Sequence, residues 1–179
     1  GQSAINVPVT GVARTSPPGH AVLTVGGGTQ LARSVMVLVF EPVAELSFVS
    51  WRDVDGNRQY NAGDQVYLTF NAAMDPATVT LANLELTGAG ASWGSGGSIR
   101  MVTGTDQQIF QITLGAAAML DTSKAVQPTL RVLDTFGGPD ATPAPVPFPA
   151  TDDADDDGLP DWWEIIQFGY LDFGPYDDP

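Results

Sequence analysis

The chain has 179 residues, of which 43% are hydrophobic and only 16% are charged, so it can bury a core and is not a disordered acidic chain as a whole. It contains no cysteine, which excludes disulfide bonds and thiolate metal sites, and it has no apolar run near the roughly 18 residues that span a bilayer. The net charge of −14 argues against a nucleic-acid partner, because phosphate binding requires clustered Lys and Arg.

Residues 1–43 form an N-terminal β segment with three short apolar runs, at 5–9, 21–25 and 35–40, separated by Gly- and Pro-rich turns. The run at 35–40 is apolar at every position, so we expect it to be buried on both faces. Two interpretations remain open for this segment. It is either the start of a β-sandwich or an arm or end of a preceding domain.

Residues 44–138 are predicted to form an antiparallel β-sandwich, which makes the fold class all-β. The predicted strands lie at 66–70, 84–87, 109–114 and 130–133, and in the first of them Val66, Leu68 and Phe70 share one face. Asp75 followed by Pro76 predicts a turn or short helical insertion that begins at Asp75.

The segment 53–64 carries oxygen-bearing side chains at loop positions 1, 3, 5, 9 and 12, which is the spacing of a calcium loop. Its Gly is at position 4 rather than 6, and its last acid is Asp rather than Glu. The alternative is an Asx-rich turn that bonds to its own backbone. The candidate ligands are the side chains of Asp53, Asp55, Asn57, Asn61 and Asp64 and the backbone carbonyl of Gln59.

Trp93 lies in a Gly-rich loop, where an indole ring is suited to stack on a sugar, so Trp93 is a candidate ligand-binding residue for a glycan. The alternative, which we favour, is that Trp93 folds back over the edge of the sandwich. Residues 139–150 then form a Pro-rich linker, because alternating prolines favour an extended, semi-rigid spacer.

The strongest pattern is at 153–164, where acids occupy positions 1, 3, 5, 9 and 12 and Gly158 occupies position 6, as in a twelve-residue calcium loop. Residues 150–179 hold ten of the 21 acids and none of the seven bases, so a divalent cation would relieve their repulsion. A short helix is predicted at 161–168, ended by Gly169. The candidate ligands are the side chains of Asp153, Asp155, Asp157, Asp161 and Glu164 and the backbone carbonyl of Leu159.

Two features distinguish this loop from a paired calcium sensor. Pro160 at position 8 lacks the N–H that paired loops exchange, and a Pro-rich segment precedes the loop in place of an entering helix. The pattern therefore favours a structural calcium clip.

The loop, followed by Phe168-Gly169 and Asp177-Asp178-Pro179, resembles the thrombospondin type 3-like calcium repeats of bacterial surface proteins. This resemblance implies that 151–179 is such a repeat, and that the final Asp-Asp-Pro begins a further repeat in a longer natural chain. Ala154-Asp155-Asp156 departs from the family, which more often has Gly in this part of the loop.

Residues 46–136 also look like a bacterial immunoglobulin-like domain of the type found in surface-layer proteins. The matching pieces are Asp53-Val54-Asp55-Gly56-Asn57, Gly63-Asp64 before the strand at 66–70, and Met74-Asp75-Pro76 with Val79 and Asn83-Leu84. This resemblance implies a structural or adhesive module.

We therefore expect a non-catalytic, extracellular, calcium-binding module of a larger cell-surface protein, whose partners are calcium ions and neighbouring domains or subunits, with no membrane insertion. His20 is the only histidine, and the sequence has neither a serine nucleophile elbow nor a phosphate-binding loop, so we do not expect an enzyme. Two alternatives stay open. One is a filament or surface-layer subunit that assembles by strand addition through 1–43, and the other is a carbohydrate-binding module that uses Trp93.

Overall fold

The computed structural model describes the backbone of residues 20–25 and 33–38, and the backbone and side chains of residues 44–138 and 144–168. The chain divides into two compact units, Gly1–Pro42 and Val43–Pro179. In the first unit, β1 (His20–Val25) pairs antiparallel with β2 (Arg33–Leu38), in agreement with the strands predicted at 21–25 and 35–40. The predicted run at 5–9, the burial of side chains 35–40, Gly169 and the Asp-Asp-Pro at 177–179 all lie outside the described residues and side chains.

The second unit contains a four-stranded antiparallel sheet with the strand order β3-β4-β7-β6. Its strands are β3 (Leu46–Arg52), β4 (Gln65–Phe70), β6 (Ser98–Met101) and β7 (Ile109–Thr113). Arg52 pairs with Gln65, so the loop at 53–64 is the connection of the β3–β4 hairpin. We call residues 53–64 the hairpin loop.

A three-stranded antiparallel sheet has the order β5-β8-β9, formed by β5 (Leu84–Thr87), β8 (Ala125–Pro128) and β9 (Val146–Pro147). The prediction that 139–150 is wholly a linker does not hold for its described part. Val146 pairs with Val126, and Phe148 is only 2% exposed. The reason is physical, because an extended Pro-rich chain that lacks some N–H donors can still serve as an edge strand.

Both sheets of this unit contribute side chains to one buried cluster, as alternation in the strands requires. Val66, Leu68 and Phe70 are all buried in it, which confirms the face predicted for β4. A β-bulge between Leu46 and Phe48 shifts the alternation of β3, so that Leu46 and Val49 both point into this core. Leu84 and Val126 enter the same cluster from the other sheet, and Phe148 enters it directly after β9.

The opposite face of the four-stranded sheet is covered by α1 (Asp161–Phe168), which has the bounds predicted for the helix. Pro160 precedes the helix, and Asp161 and Glu164 lie in its first turn, where negative charge is favourable. A second apolar cluster joins this helix to the sheet. It contains Tyr67, Ile109 and Ile165, with Phe48, Val102, Trp162 and Ile166 packed around them.

The turn predicted at Asp75 is confirmed, because its carboxylate accepts a hydrogen bond from the N–H of Ala77 and its carbonyl accepts one from Thr78. The strand predicted at 130–133 is wrong. These residues form a turn in which Leu130 is 63% exposed and only Val132 enters the core. The described part of the chain is thus mostly antiparallel β-structure with one short α-helix, which confirms the all-β class.

Candidate metal centre

The segment 153–164, which we call the C-terminal loop, curls tightly around the carboxylate of Asp153. One oxygen of Asp153 accepts the N–H of Asp157 at 3.2 Å, and the other accepts the N–H of Gly158 at 3.0 Å. Positions 4 and 6 of the loop, Asp156 and Gly158, have φ angles of 59° and 94°. This left-handed backbone produces the sharp turn that the sequence predicted at Gly158.

The two ends of the C-terminal loop meet at the start of α1. The N–H of Asp161 donates to the carbonyl of Asp152 at 2.8 Å, and the N–H of Ala154 donates to Oδ1 of Asp161 at 2.8 Å. Asp161 and Glu164 are 1% and 0% exposed. Helix α1 therefore carries the last two predicted ligands into the closed side of the loop.

The loop brings all five predicted acidic side chains together. Carboxylate oxygens of Asp153, Asp155 and Asp161 lie within 4.8 Å of one another, and so do those of Asp155, Asp157 and Glu164. Asp155 belongs to both groups, so the five carboxylates form one continuous cluster. Leu159, whose carbonyl is the sixth predicted ligand, is half-buried, and its N–H donates to Oδ1 of Asp157 at 2.7 Å.

Several carboxylate oxygens in this cluster are buried without a hydrogen-bond partner among the described residues. They are Oδ2 of Asp157, Oδ2 of Asp161 and both carboxylate oxygens of Glu164. Buried polar groups in native proteins are almost always hydrogen-bonded, and an unpaired buried charge costs several kcal/mol. A bound cation would be coordinated by these oxygen atoms and would compensate their charge.

The electrostatics of the cluster point in the same direction. Burial, together with the charges of Asp157, Asp155, Asp161 and Asp153, raises the pKa of Glu164 to about 7. Burial also raises the pKa of Asp161, and the charges of Asp155, Asp153 and Asp152 add to this shift, whereas the hydrogen bond from Ala154 opposes it. A divalent cation in the cluster would replace this mutual repulsion with attraction.

The donors are all oxygen atoms, so the cluster suits a hard cation rather than a thiophilic one. The residues present therefore fit the predicted group. Asp153, Asp155, Asp157, Asp161 and Glu164 would hold the ion, which would supply charge neutralisation and a cross-link between the loop and the helix.

The hairpin loop has a backbone similar to that of the C-terminal loop, but its carboxylates are hydrogen-bonded. Its positions 4 and 6, Gly56 and Arg58, have φ angles of 73° and 61°, so both loops are left-handed at the same two positions. The usual calcium loop has its glycine at position 6, whereas the hairpin loop has it at position 4. Position 4 is also left-handed in both loops, so a glycine is suited to it. Oxygens of Asp53, Asp55 and Asp64 lie within 4.8 Å of one another.

Every carboxylate oxygen of these three aspartates accepts a hydrogen bond from within the hairpin loop. Asp53 accepts from Gly56 at 2.8 Å and from Arg58 at 2.5 Å, and Asp64 accepts from Val54 at 3.0 Å and from Asn61 at 2.9 Å. The two oxygens of Asp55 accept bonds from Asn57, and its Oδ2 also accepts one from Asn61.

The pKa of Asp53 reflects this bonding. Desolvation acts to raise it, but the hydrogen bonds from Arg58 and Gly56 lower it overall. The Oδ1 of Asn57 accepts the N–H of Gln59, and the carbonyl of Gln59 accepts the amide of Asn61. The hairpin loop thus has the hydrogen bonds expected of an Asx-rich turn, and a metal ion at this loop stays a prediction.

Tyr60 is a residue that the sequence analysis missed. It lies at position 8 of the hairpin loop, where its ring stacks on Trp51 at 4.3 Å, and its hydroxyl donates to the carbonyl of Pro149 at 2.7 Å. Burial and the charge of Asp64 raise its pKa, so the hydroxyl remains a donor. This contact joins residues 89 positions apart, and no local pattern in the sequence indicates it.

Trp93 packs against the main core and meets Phe148 edge-to-face at 5.9 Å, and its Nε1 is buried. Trp93 is thus half-buried against the sandwich, as in the folded-back alternative, and glycan binding by Trp93 stays a prediction. Trp162 on α1 lies on the sheet. It stacks on Tyr67 at 5.8 Å, and the guanidinium of Arg52 lies 4.6 Å from its ring.

No family model, no curated protein and no solved structure matches this chain significantly. Within the residues that the structure describes, no helix has both the length and the apolar character needed to cross a membrane.

Proposed function

We propose that this chain is a non-catalytic calcium-binding structural module, in which one ion at the C-terminal loop fastens α1 to an immunoglobulin-like β-sandwich. The observation that carries this proposal is the carboxylate of Glu164, which is buried without a partner among the described residues, in a cluster of four further carboxylates. The sandwich interpretation is supported by two antiparallel sheets that share one core.

Calcium is the ion that this donor set favours. Five carboxylates and one candidate backbone carbonyl match a cation that takes six to eight oxygens in a flexible geometry. Magnesium demands near-octahedral geometry and keeps several waters, which suits a crowded carboxylate cluster less well. Extracellular calcium modules of this type bind with dissociation constants of roughly 10⁻⁴ to 10⁻³ M, so a role at the cell surface is consistent with millimolar calcium.

Two steps test this function. Calorimetric titration of the chain with calcium should show one ion bound at the C-terminal loop, and a second ion would indicate that the hairpin loop also binds. Thermal unfolding should then shift upward in calcium relative to chelator. An ion at a hundred times its Kd contributes about 2.7 kcal/mol, which corresponds to a rise of roughly 5–10 °C for a chain of this size.

The same titration with magnesium serves as the control for ion selectivity and should give weaker binding. The absence of calcium binding at millimolar concentration, with the melting temperature unchanged by chelator, would contradict the proposal.

A further inference from the structure

The hairpin loop and the C-terminal loop are joined through Tyr60. Its ring is half-buried between Trp51, at 4.3 Å, and Phe148, which it meets edge-to-face at 5.8 Å. Its hydroxyl donates to the carbonyl of Pro149, four residues before Asp153. A single side chain of one loop thus contacts the segment that leads into the other.

The entering segment is otherwise held by few contacts. Val146 pairs with Val126 in β8, the N–H of Phe148 donates to the carbonyl of Lys124 at 3.2 Å, and the Phe148 ring is buried in the core. Beyond Pro149, the N–H of Asp153 donates to the hydroxyl of Thr151. After Pro149, the hydrogen bonds of this segment are made within it or to Asp161 of the C-terminal loop. The Tyr60 hydroxyl therefore supplies the last of these hydrogen bonds that ties the entering segment to the sandwich.

Tyr60 is itself held in place by the hairpin loop. Asp64, 1% exposed, accepts the N–H of Asn61, the residue next to Tyr60, and the N–H of Val54 at the other end of the loop. Asp64 thus fixes the backbone at Asn61, and the neighbouring Tyr60 carries this constraint to Pro149. The leaving end of the C-terminal loop is held separately, by Trp162 against Tyr67 and Arg52.

We propose that Tyr60 is a positioning residue for the metal centre, and that its hydroxyl, by fixing the carbonyl of Pro149, couples the hairpin loop to ion binding at the C-terminal loop. This inference rests on the proposed calcium site. Its physical basis is that a preorganised loop loses less conformational entropy when it closes around an ion. The aromatic contacts and the hydroxyl bond of Tyr60 are made to Trp51, Phe148 and Pro149, which are not candidate ligands, so Tyr60 would act through the placement of the loop entrance.

The test is the variant Tyr60→Phe in the full chain, which removes the hydroxyl and keeps the stacked ring. Calorimetric titration with calcium, at a temperature at which circular dichroism shows both proteins folded, should give a Kd about threefold to tenfold higher than that of the wild type. This range corresponds to the loss of one ordinary hydrogen bond.

A matched control separates positioning from general stability. Thr78→Val also removes a bonded hydroxyl, one that donates to Asp75 and accepts from Leu133 in a turn outside both loops. It should lower the melting temperature equally in calcium and in chelator and leave the calcium Kd unchanged. Tyr60→Phe should lower the melting temperature more in calcium than in chelator, because it weakens the bound state in particular.

Each outcome decides the question. Wild-type binding with an unchanged Kd in Tyr60→Phe overturns the positioning role and leaves the calcium site standing. No calcium binding by the wild type overturns the proposed function and this inference together. A Kd that rises equally in Tyr60→Phe and Thr78→Val overturns the positioning role, because general destabilisation would then account for the loss.

Discussion

In the absence of metal, the charged form of Glu164 is destabilised by burial and by neighbouring acids. Its carboxylate has no hydrogen-bond partner among the described residues. Its pKa in the folded protein is about 7, above the ordinary value of 4.5, so the folded state holds a proton more tightly than the unfolded state. Without metal, this contribution to stability is fully present below about pH 4.5 and is lost as the pH rises through about 7.

We expect Glu164→Gln to remove this pH dependence. In chelator the variant should be more stable than the wild type at pH 8, because the amide carries no charge to bury. In calcium it should be less stable and bind at least about tenfold more weakly, because affinity depends on ligand charge. Chemical unfolding from pH 4 to 8, with and without calcium, measures both effects.

The control is Glu85→Gln, which makes the same change at an exposed position of β5. It should leave the calcium affinity and the slope of stability between pH 4.5 and 7 unchanged. If Glu164→Gln is destabilising in chelator as well as in calcium, the carboxylate has a partner that the metal interpretation does not include.

The sequence predicted which acids would meet but not how deeply they would be buried. Alternate residues of a curled loop converge by local geometry, so the spacing from Asp153 to Glu164 is sufficient to predict the cluster. The burial of Glu164 depends on where α1 packs, and the contact of Tyr60 with Pro149 depends on the pairing of β9. Both are long-range consequences of the fold and leave no mark in the local pattern.

Helix α1 links the carboxylate cluster of the C-terminal loop to the sheet through one face. Trp162 lies over Arg52 and Tyr67, whereas its neighbour Trp163 packs on Phe168 within the same helix at 5.5 Å. Adjacent residues of a helix face different directions. Substitution of Trp162 therefore tests how the helix docks on the sheet, and substitution of Trp163 tests contacts within the helix.

We expect Trp162→Ala to destabilise the protein by roughly 2 kcal/mol, about half the cost of truncating a fully buried Trp, and to weaken calcium binding because Glu164 shares the helix. Trp163→Ala changes helix propensity in the same way and should have a smaller effect on both quantities. Urea unfolding in calcium and calorimetric titration measure them. Equal effects of the two variants would contradict a specific role for docking on the sheet.

The strands illustrate why alternation is a good guide at some places and a poor one at others. The strand β4 was predicted because one of its faces is fully buried, which forces a regular pattern on Val66, Leu68 and Phe70. The edge strand β6 alternates, with Ile99 and Met101 half-buried, but it has only four residues, and the edge strand β9 has two, so both are too short for alternation to predict them. Residues 130–133 have an apolar pattern but form a turn, since Val132 alone is needed to fill the core.

At the scale of the whole molecule, the compact unit Val43–Pro179 contains the main core, the hairpin loop and the carboxylate cluster of the C-terminal loop. We expect a chain that lacks residues 1–42 to bind calcium with the affinity of the full chain. Calorimetric titration of the two chains side by side checks this. A large loss of affinity would show that the N-terminal unit supports the metal centre.

The same pair of chains addresses assembly by strand addition. If the chain assembles by strand addition through residues 1–43, light scattering should show large assemblies for the full chain and none for the shortened one. Equal sizes for the two chains would remove the alternative.

Two successive residues of β3 anchor the two ends of the C-terminal loop, and this arrangement has a mechanical consequence. Trp51 reaches the entering segment through Tyr60, and Arg52 reaches the leaving helix through Trp162, on opposite faces of the strand. A force applied to the chain beyond Phe168 would first act on the contacts of the helix with the sheet. It would then act on the carboxylate cluster and on the Tyr60 hydrogen bond, and only afterwards on a strand. Once released, residues 150–168 would span up to roughly 65 Å when fully extended, while both sheets of this unit stay intact. A bound ion would therefore carry load before the sheets do.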